Sequence, residues 1–233
     1  MKHGVLIALV LGLCAIGLPT ASGWTKDKRP DTFVNLRDVI PSVELDIRYH
    51  GAHNFVGAPV DGYRDPVCLL TREAAASLKR VQQELQAFSF SLKVYDCYRP
   101  QRAVDHFVRW AKDVDDVKTR AEFYPTVDKR NLFRDNYIAE RSSHSRGSTV
   151  DLTIVPLPVP PQEVYRPGQP LKACFLPAGV RFGDNSIDMG TGFDCFHALS
   201  HPGNADVGVQ QRFNRLLLKT LMDKYGFDNY PEE

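Results

Sequence analysis

A chain of 233 residues with Lys+Arg 29 against Asp+Glu 28 carries a formal charge of +1. That balance gives no electrostatic basis for binding nucleic acid and points to a small or uncharged partner. The length suffices to bury a substantial core without a metal or disulfide staple, so one domain with insertions is expected.

The first residues have the layout of a secretory signal peptide. Lys2 and His3 precede an apolar run from Val5 to Leu18, and Pro19-Thr20-Ala21-Ser22-Gly23 offers small residues for cleavage. Residues 1–23 are therefore expected to be removed, with the mature chain starting near Trp24. A retained anchor is the alternative, but a span needs about 20 apolar residues, more than this run holds. Lipidation at Cys14 is disfavoured, because Leu13 stands where a small residue is wanted. No later stretch is apolar enough to span a bilayer, so no stable membrane span is expected after cleavage. Loss of Cys14 leaves Cys68, Cys97, Cys174 and Cys195. Four cysteines in an exported chain allow three pairings. Cys68 and Cys97 flank one helix-strand unit and Cys174 and Cys195 flank one loop-rich segment, which favours 68–97 with 174–195 over free buried thiols. None of them falls in a C-x₂-C spacing, so a four-cysteine zinc site is not expected.

Residues 24–66 are dense in turn signals, among them Pro30-Asp31, Pro41-Ser42, Asp61-Gly62 and Asp65-Pro66. They read as an irregular lobe with one or two strands, the clearest being the alternating run Val43 to Tyr49. Thr71 can cap a helix whose apolar positions Ala74, Leu78, Val81, Leu85 and Phe88 recur at helical spacing. Phe90, Leu92 and Val94 alternate with Ser91, Lys93 and Tyr95, a half-buried strand leading into Asp96-Cys97-Tyr98-Arg99-Pro100. Pro100 ends that strand and can open the next helix, with Ala103, Val104, Phe107, Val108 and Ala111 as its apolar face. Arg99 thus falls at a strand-to-helix junction. Residues 112–141 are charged and weakly periodic, consistent with a helix and a surface loop.

Ser142-Ser143-His144-Ser145-Arg146-Gly147-Ser148-Thr149-Val150-Asp151 follows, and then the strand-like run Leu152 to Val155. Val150, Leu152 and Ile154 point one way along it while Asp151 and Thr153 point the other. The segment 156–183 is rich in proline and reads as an inserted surface loop. A turn-rich piece, Asp188 to Asp194, precedes a last helix from about Val207 to Tyr225. Phe213, Leu216, Leu217, Thr220 and Leu221 form its apolar face and Gly226 its C-terminal cap.

His144 and Asp151, seven residues apart with small residues between, are side chains that a catalytic Zn²⁺ accepts. Read alone they are equally a hydrogen-bonded histidine-carboxylate pair. Serine chemistry is not indicated, since no Gly-x-Ser-x-Gly elbow accompanies Ser142, Ser143 or Ser145.

The wider pattern Ser142-x-His144-x-x-Gly147-x-Thr149-x-Asp151 resembles the metal motif of the zinc D-alanyl-D-alanine peptidases. Leu152-Thr153 extends it toward the D-Ala-D-Ala dipeptidases. Val60-Asp61-Gly62-Tyr63, Tyr98-Arg99-Pro100-x-Arg102-Ala103-Val104, Met189-Gly190-Thr191-x-Phe193-Asp194, Ser200-His201 and Gly226-Phe227-x-x-Tyr230 follow the family order, so the resemblance runs from about residue 40 to 233. It implies a single zinc per chain held by His144 and Asp151, with Arg99 stabilising the oxyanion. It further implies that Asp194, with Ser142, holds the free ammonium of a dipeptide. The family places its acid/base and third zinc ligand in Glu-Trp-Trp-His after the Gly-Phe-x-x-Tyr stretch. Glu233 falls in register on that catalytic glutamate and is the last residue in hand, so two readings stay open: a sequence cut inside the motif, or a naturally shortened homologue. His201, the nearest other histidine, matches a family position that is not a ligand.

The resulting expectation is a single α+β domain, a small antiparallel sheet carrying His144 and Asp151, with packed helices and a proline-rich insertion. Its expected activity is zinc-dependent hydrolysis of D-alanyl-D-alanine to two D-alanines in cell-wall peptide metabolism, in the periplasm or outside the cell. A D,D-carboxypeptidase or endopeptidase on muropeptides, and an inactive peptide-binding homologue, are the alternatives.

Overall fold

The computed structural model describes residues 31–230. The expected signal peptide, with Cys14, and Glu233 lie outside the described residues. Short elements open the fold: β1 (Phe33–Asn35), α1 (Leu36–Val39) and β2 (Glu44–Leu45), then β3 (Leu69–Thr71) paired antiparallel with β1. The strand expected over Val43 to Tyr49 is real only at Glu44–Leu45; from Arg48 to His50 the chain turns as a 3₁₀ helix that takes Arg48 inward.

α2 (Arg72–Ala87) starts where the sequence places its cap, with Thr71 Oγ1 accepting the Ala74 N–H at 3.3 Å. Ala74, Leu78, Val81 and Leu85 are buried, whereas Phe88, expected on the same face, lies past the helix end and is exposed. β4 (Phe90–Asp96) is the central strand of a three-stranded sheet in the order β2, β4, β5, where β5 is Asp151–Pro156. β5 pairs antiparallel with β4 but β2 runs parallel to it, so the sheet is mixed rather than purely antiparallel. The register slips by one residue between Val94 and Asp96, which sets Asp96 opposite Asp151. A bulge of this kind re-aims side chains at the end of a strand, and cross-strand partners share a face. The two carboxylates therefore face the same side.

α3 (Gln101–Lys112) begins directly after Pro100 and buries Ala103, Val104, Phe107, Trp110 and Ala111; Val108 is only half-buried, and Trp110 takes part in its place. The 112–141 region holds a short α4 (Arg120–Phe123) and a 3₁₀ turn at Lys129–Asn131. The last helix, α5 (Val209–Lys224), buries little. Leu221 is buried and Leu217 and Met222 pack against the core, but Phe213 and Leu216, expected on the buried face, are exposed. Gly226 follows α5 with φ 85°, and Phe227 N–H closes back on the Met222 carbonyl at 3.1 Å, the cap the sequence indicates. Two apolar clusters result. One joins α2, β4 and β5; the other is aromatic, built around α3 from Tyr49, Phe55, Phe107, Trp110, Tyr124 and Phe196. Among the described residues no helix is long and apolar enough to cross a membrane.

Both expected disulfides form, Cys68 with Cys97 and Cys174 with Cys195. Residues 157–197 contain no helix or strand, yet they cover the face of β4 opposite its apolar cluster. Lys93 on that face is 2% exposed, with Nζ donating to Asp184 at 3.0 Å, to Asn185 at 2.8 Å and to Gln162. Arg48 joins it, 2.6 Å from Asp184 and 2.9 Å from Asp46. The expectation of a half-buried β4 is thus corrected: its polar residues are buried too, Lys93 and Tyr95 under a loop that supplies their partners and Ser91 against Gln82 and the Ser42 carbonyl. Burial would raise the Asp184 pKa, but Arg48 and Lys93 with their hydrogen bonds outweigh it and hold it near about 2.

Two consequences of this network are measurable. Asp184→Asn leaves two cations facing the single carboxylate of Asp46, and urea unfolding at neutral pH should show a loss of roughly 3 kcal/mol. Because the folded-state pKa of Asp184 is depressed below 3.8, its contribution is present above that value and should disappear as the pH falls through about 2.

Candidate metal centre

Ser142 stands just before a 3₁₀ turn, Ser143–Arg146, and its hydroxyl oxygen accepts the His144 N–H at 3.2 Å. Gly147 closes the turn at φ 75°, and a Cβ there would lie 2.2 Å from the Phe33 ring. Only glycine meets both conditions. The turn is stitched to the strand end across from it: Ser145 Oγ donates to the Arg99 carbonyl at 2.8 Å, and Thr71 N–H donates to the Gly147 carbonyl at 2.8 Å. His144 thus sits on a turn preceding the sheet, while Asp151 opens β5 itself.

The His144 ring is buried, and its Nδ1 lies 2.8 Å from the Cys97 carbonyl. A carbonyl can only accept, so Nδ1 carries the proton and Nε2 faces Asp151 Oδ1 at 3.1 Å. A lone-pair nitrogen and a carboxylate oxygen at this distance need a cation between them: a proton or a metal ion. Burial works against charge on His144, but Asp151, through its charge and hydrogen bond, and Asp96 overcome both burial and the repulsion of Arg99, so the imidazole pKa is raised. Burial likewise opposes charge on Asp151, and His144 and Arg99 hold its carboxyl below the usual range.

The two donors fit part of a zinc site, which in catalytic centres takes three protein ligands. Two ligands at Zn–N of about 2.0–2.1 Å and Zn–O of about 2.0–2.2 Å in a tetrahedron stand about 3.4 Å apart, close to the observed separation. Asp96 completes the one His/Cys/Asp/Glu cluster of metal-binding geometry found among the described residues, its ligand atom within 4.8 Å of the others. It lies on the wrong side of the ring to share an ion with Nε2, because its Oδ2 is 3.4 Å from Nδ1. Its oxygens are also committed. Oδ1 accepts the Tyr63 hydroxyl at 2.7 Å, and Oδ2 accepts Arg99 Nε at 3.0 Å and Nη2 at 2.8 Å. Asp96 orients the arginine and places its charge beside the His144 ring.

Arg99 is where the sequence places it, at the β4–α3 junction. Its guanidinium packs over the Tyr49 and Phe107 rings at 5.1 and 5.0 Å. Burial opposes its charge, but Asp96, with the Tyr49 and Tyr63 hydroxyls and Asp151 adding, raises its pKa well above the ordinary value. Its Nη1 and Nη2 reach Ser142 and Asp151 only at 3.5 Å each, so those N–H groups are the less committed ones and face the His144–Asp151 pair. Asp194 lies in the same cleft, with Oδ2 accepting the Tyr49 hydroxyl at 2.7 Å. Burial and the neighbouring carboxylates push the Tyr49 and Tyr63 hydroxyls well above the ordinary phenol pKa, so both remain donors. Arg99, Ser142, His144, Asp151 and Asp194 therefore line one cleft, and Glu233 lies outside the described residues. Sequence reasoning passed over Asp96, Tyr63 and Tyr49. The available signal was a carboxylate three residues before Arg99, next to a half-cystine at a strand end.

In metal-free protein the His144 ring should titrate above 6.5 by NMR. Asp151→Asn should bring that value down, since burial and Arg99 then oppose protonation with less against them.

A family model described as D-ala-D-ala dipeptidase matches residues 29–157 and 181–233. A D-alanyl-D-alanine dipeptidase of Streptomyces coelicolor is 33% identical over 198 residues, 85% of this chain and 86% of that protein. One of Enterococcus faecalis is 32% identical over the same share of each chain. One of Escherichia coli is 28% identical over 194 residues, 83% of this chain and 77% of that protein.

Proposed function

Since the chain belongs to the D-ala-D-ala dipeptidase family, we propose that it hydrolyses D-alanyl-D-alanine to two D-alanines with a single zinc held by His144 and Asp151. The observation that carries this reading is the Nε2–Oδ1 approach of 3.1 Å beside a partly buried, charged arginine. Zinc bound there would supply a Lewis acid next to the scissile carbonyl. Arg99 then serves as the oxyanion donor. Asp96 fixes its Nε and one face of Nη2, leaving N–H groups aimed at the cleft, and a preorganised cation of this kind stabilises charge that develops only in the transition state. Asp194, steadied by Tyr49, holds the substrate ammonium, with the Ser142 hydroxyl as a second acceptor. By resemblance Glu233 moves the proton from water to the leaving amine.

The N-terminal layout and the two disulfides support export, because disulfides persist in oxidising compartments. On this reading residues 1–23 are a signal peptide, residues 24–233 the catalytic domain, and the protein works in the periplasm or outside the cell. The stretch 158–180, which the family model skips, supports 156–183 as an insertion.

Metal analysis of purified protein should find one zinc per chain, with activity lost on chelation and regained with zinc. Arg99→Ala should lower kcat by about 10²–10³-fold. N-acetyl-D-Ala-D-Ala, which lacks the ammonium, should be cleaved about 100-fold less efficiently than the free dipeptide. Equal kcat/KM for the two would overturn the dipeptidase assignment in favour of a carboxypeptidase.

A further inference from the structure

Cys174 lies within the stretch that the family model leaves unmatched, and Cys195 lies within the matched part. Three bonds converge on Cys174. Its N–H donates to the Glu122 carbonyl at 3.0 Å, its carbonyl accepts the Gly192 N–H at 2.8 Å, and its sulfur is bonded to Cys195. The chain between those last two attachments is Phe193 and Asp194. Asp194 has φ 51°, a left-handed conformation that aspartate tolerates better than most residues but that still costs more than the commoner backbone angles. The anchor is itself held. His53 Nδ1 accepts from Arg48 Nη1 at 2.7 Å, so its Nε2–H donates to the Glu122 carboxylate at 2.8 Å, and Tyr165 of the unmatched stretch stacks on the His53 ring at 4.3 Å. Phe193 packs on Tyr95 at 4.6 Å, which limits rotation of the turn from its other side.

We propose that Cys174 is a positioning residue for substrate recognition: through its bridge to Cys195 and its carbonyl bond to Gly192 it clamps Asp194 in its left-handed conformation at the ammonium-binding end of the cleft. The unmatched stretch then contributes to affinity without touching substrate. This inference rests on the reading of Asp194 as the ammonium acceptor. The bridge ties residues 21 apart in sequence, so opening it frees the Asp194 turn to relax to commoner backbone angles.

The test uses the full zinc-loaded chain and compares wild type, the double variant Cys174→Ser/Cys195→Ser and Asp194→Asn on D-Ala-D-Ala. The double variant should raise KM about tenfold with kcat within about twofold, the signature of lost binding common to ground and transition states. It should leave the efficiency toward N-acetyl-D-Ala-D-Ala unchanged, because that substrate has no ammonium. If Asp194→Asn raises KM and the double variant does not, the clamp is overturned and the Asp194 reading stands. If Asp194→Asn itself leaves KM unchanged, the recognition reading fails and the clamp with it. A parallel fall in kcat and zinc content in the double variant would mark the bridge as structural only and overturn the proposal. Should the double variant not fold, a dithiol added to folded wild type supplies the two electrons and two protons that convert the bridge to thiols. Alkylation followed by mass spectrometry identifies protein in which Cys174 and Cys195 are labelled and the Cys68–Cys97 bridge is intact, and calorimetry on that protein and on untreated wild type, both stripped of zinc, should show the same tenfold loss of D-Ala-D-Ala affinity; unchanged affinity overturns the clamp.

Discussion

The carboxylate of Asp96 is wholly buried at the end of β4, and a buried carboxylate must be matched by donors or a cation. Arg99 and Tyr63 meet that requirement, and in doing so they are fixed. The same oxygen that receives Arg99 also lies beside His144 Nδ1, so the arginine, the histidine tautomer and the carboxylate are set together. Its position depends on the β4 bulge, which brings Asp96 level with Asp151 instead of into the apolar cluster. The Cys68–Cys97 bridge holds the residue whose carbonyl fixes the ring. The functional groups are thereby supported from rigid elements, a condition for the sub-ångström placement that catalysis needs.

Charge is handled in two separated networks with different jobs. Around Asp96 the balance leaves part of Arg99 and the open side of the His144–Asp151 pair facing the cleft. Around Lys93 and Arg48, Asp46 and Asp184 close the balance internally, with Gln162 and Asn185 taking up the remaining donor capacity. The second network attaches residues 157–197 to the sheet in the absence of any regular secondary structure there. Tyr95 connects the two regions, its hydroxyl donating to Asp184 at 2.9 Å while its ring packs on Phe193 next to Asp194.

Much of this was legible in local sequence signals. Thr71 marks a helix start, Pro100 a strand-to-helix change and Gly226 a helix end, because each acts through its own backbone or side chain. That His144, Asp151 and Arg99 line one cleft was legible only through the motifs they share with the D-alanyl-D-alanine peptidases, because read alone the first two are equally a hydrogen-bonded pair. Asp96 was not, since nothing local distinguishes an orienting carboxylate from a solvated one; its role arises from Tyr63 and Arg99 meeting it in space. The alternation along β4 misled for a related reason. Polar residues were read as facing water, yet Lys93 faces the polar loop, and Ser91 is buried against Gln82 of α2 and the Ser42 carbonyl. On α5 the apolar stripe is wider than the surface it covers, so Phe213 and Leu216 stay exposed while Leu217 and Met222 pack.

On the proposed reading, zinc is the cation that His144 and Asp151 share. A crystal structure of the protein grown with zinc, with anomalous data on both sides of the zinc edge, tests it directly. One strong peak is expected about 2.0–2.2 Å from both His144 Nε2 and an Asp151 carboxylate oxygen, with Asp96 still bonded to Arg99 and Tyr63. A direct His144–Asp151 hydrogen bond persisting with zinc bound elsewhere, or zinc ligated by Asp96, would contradict it.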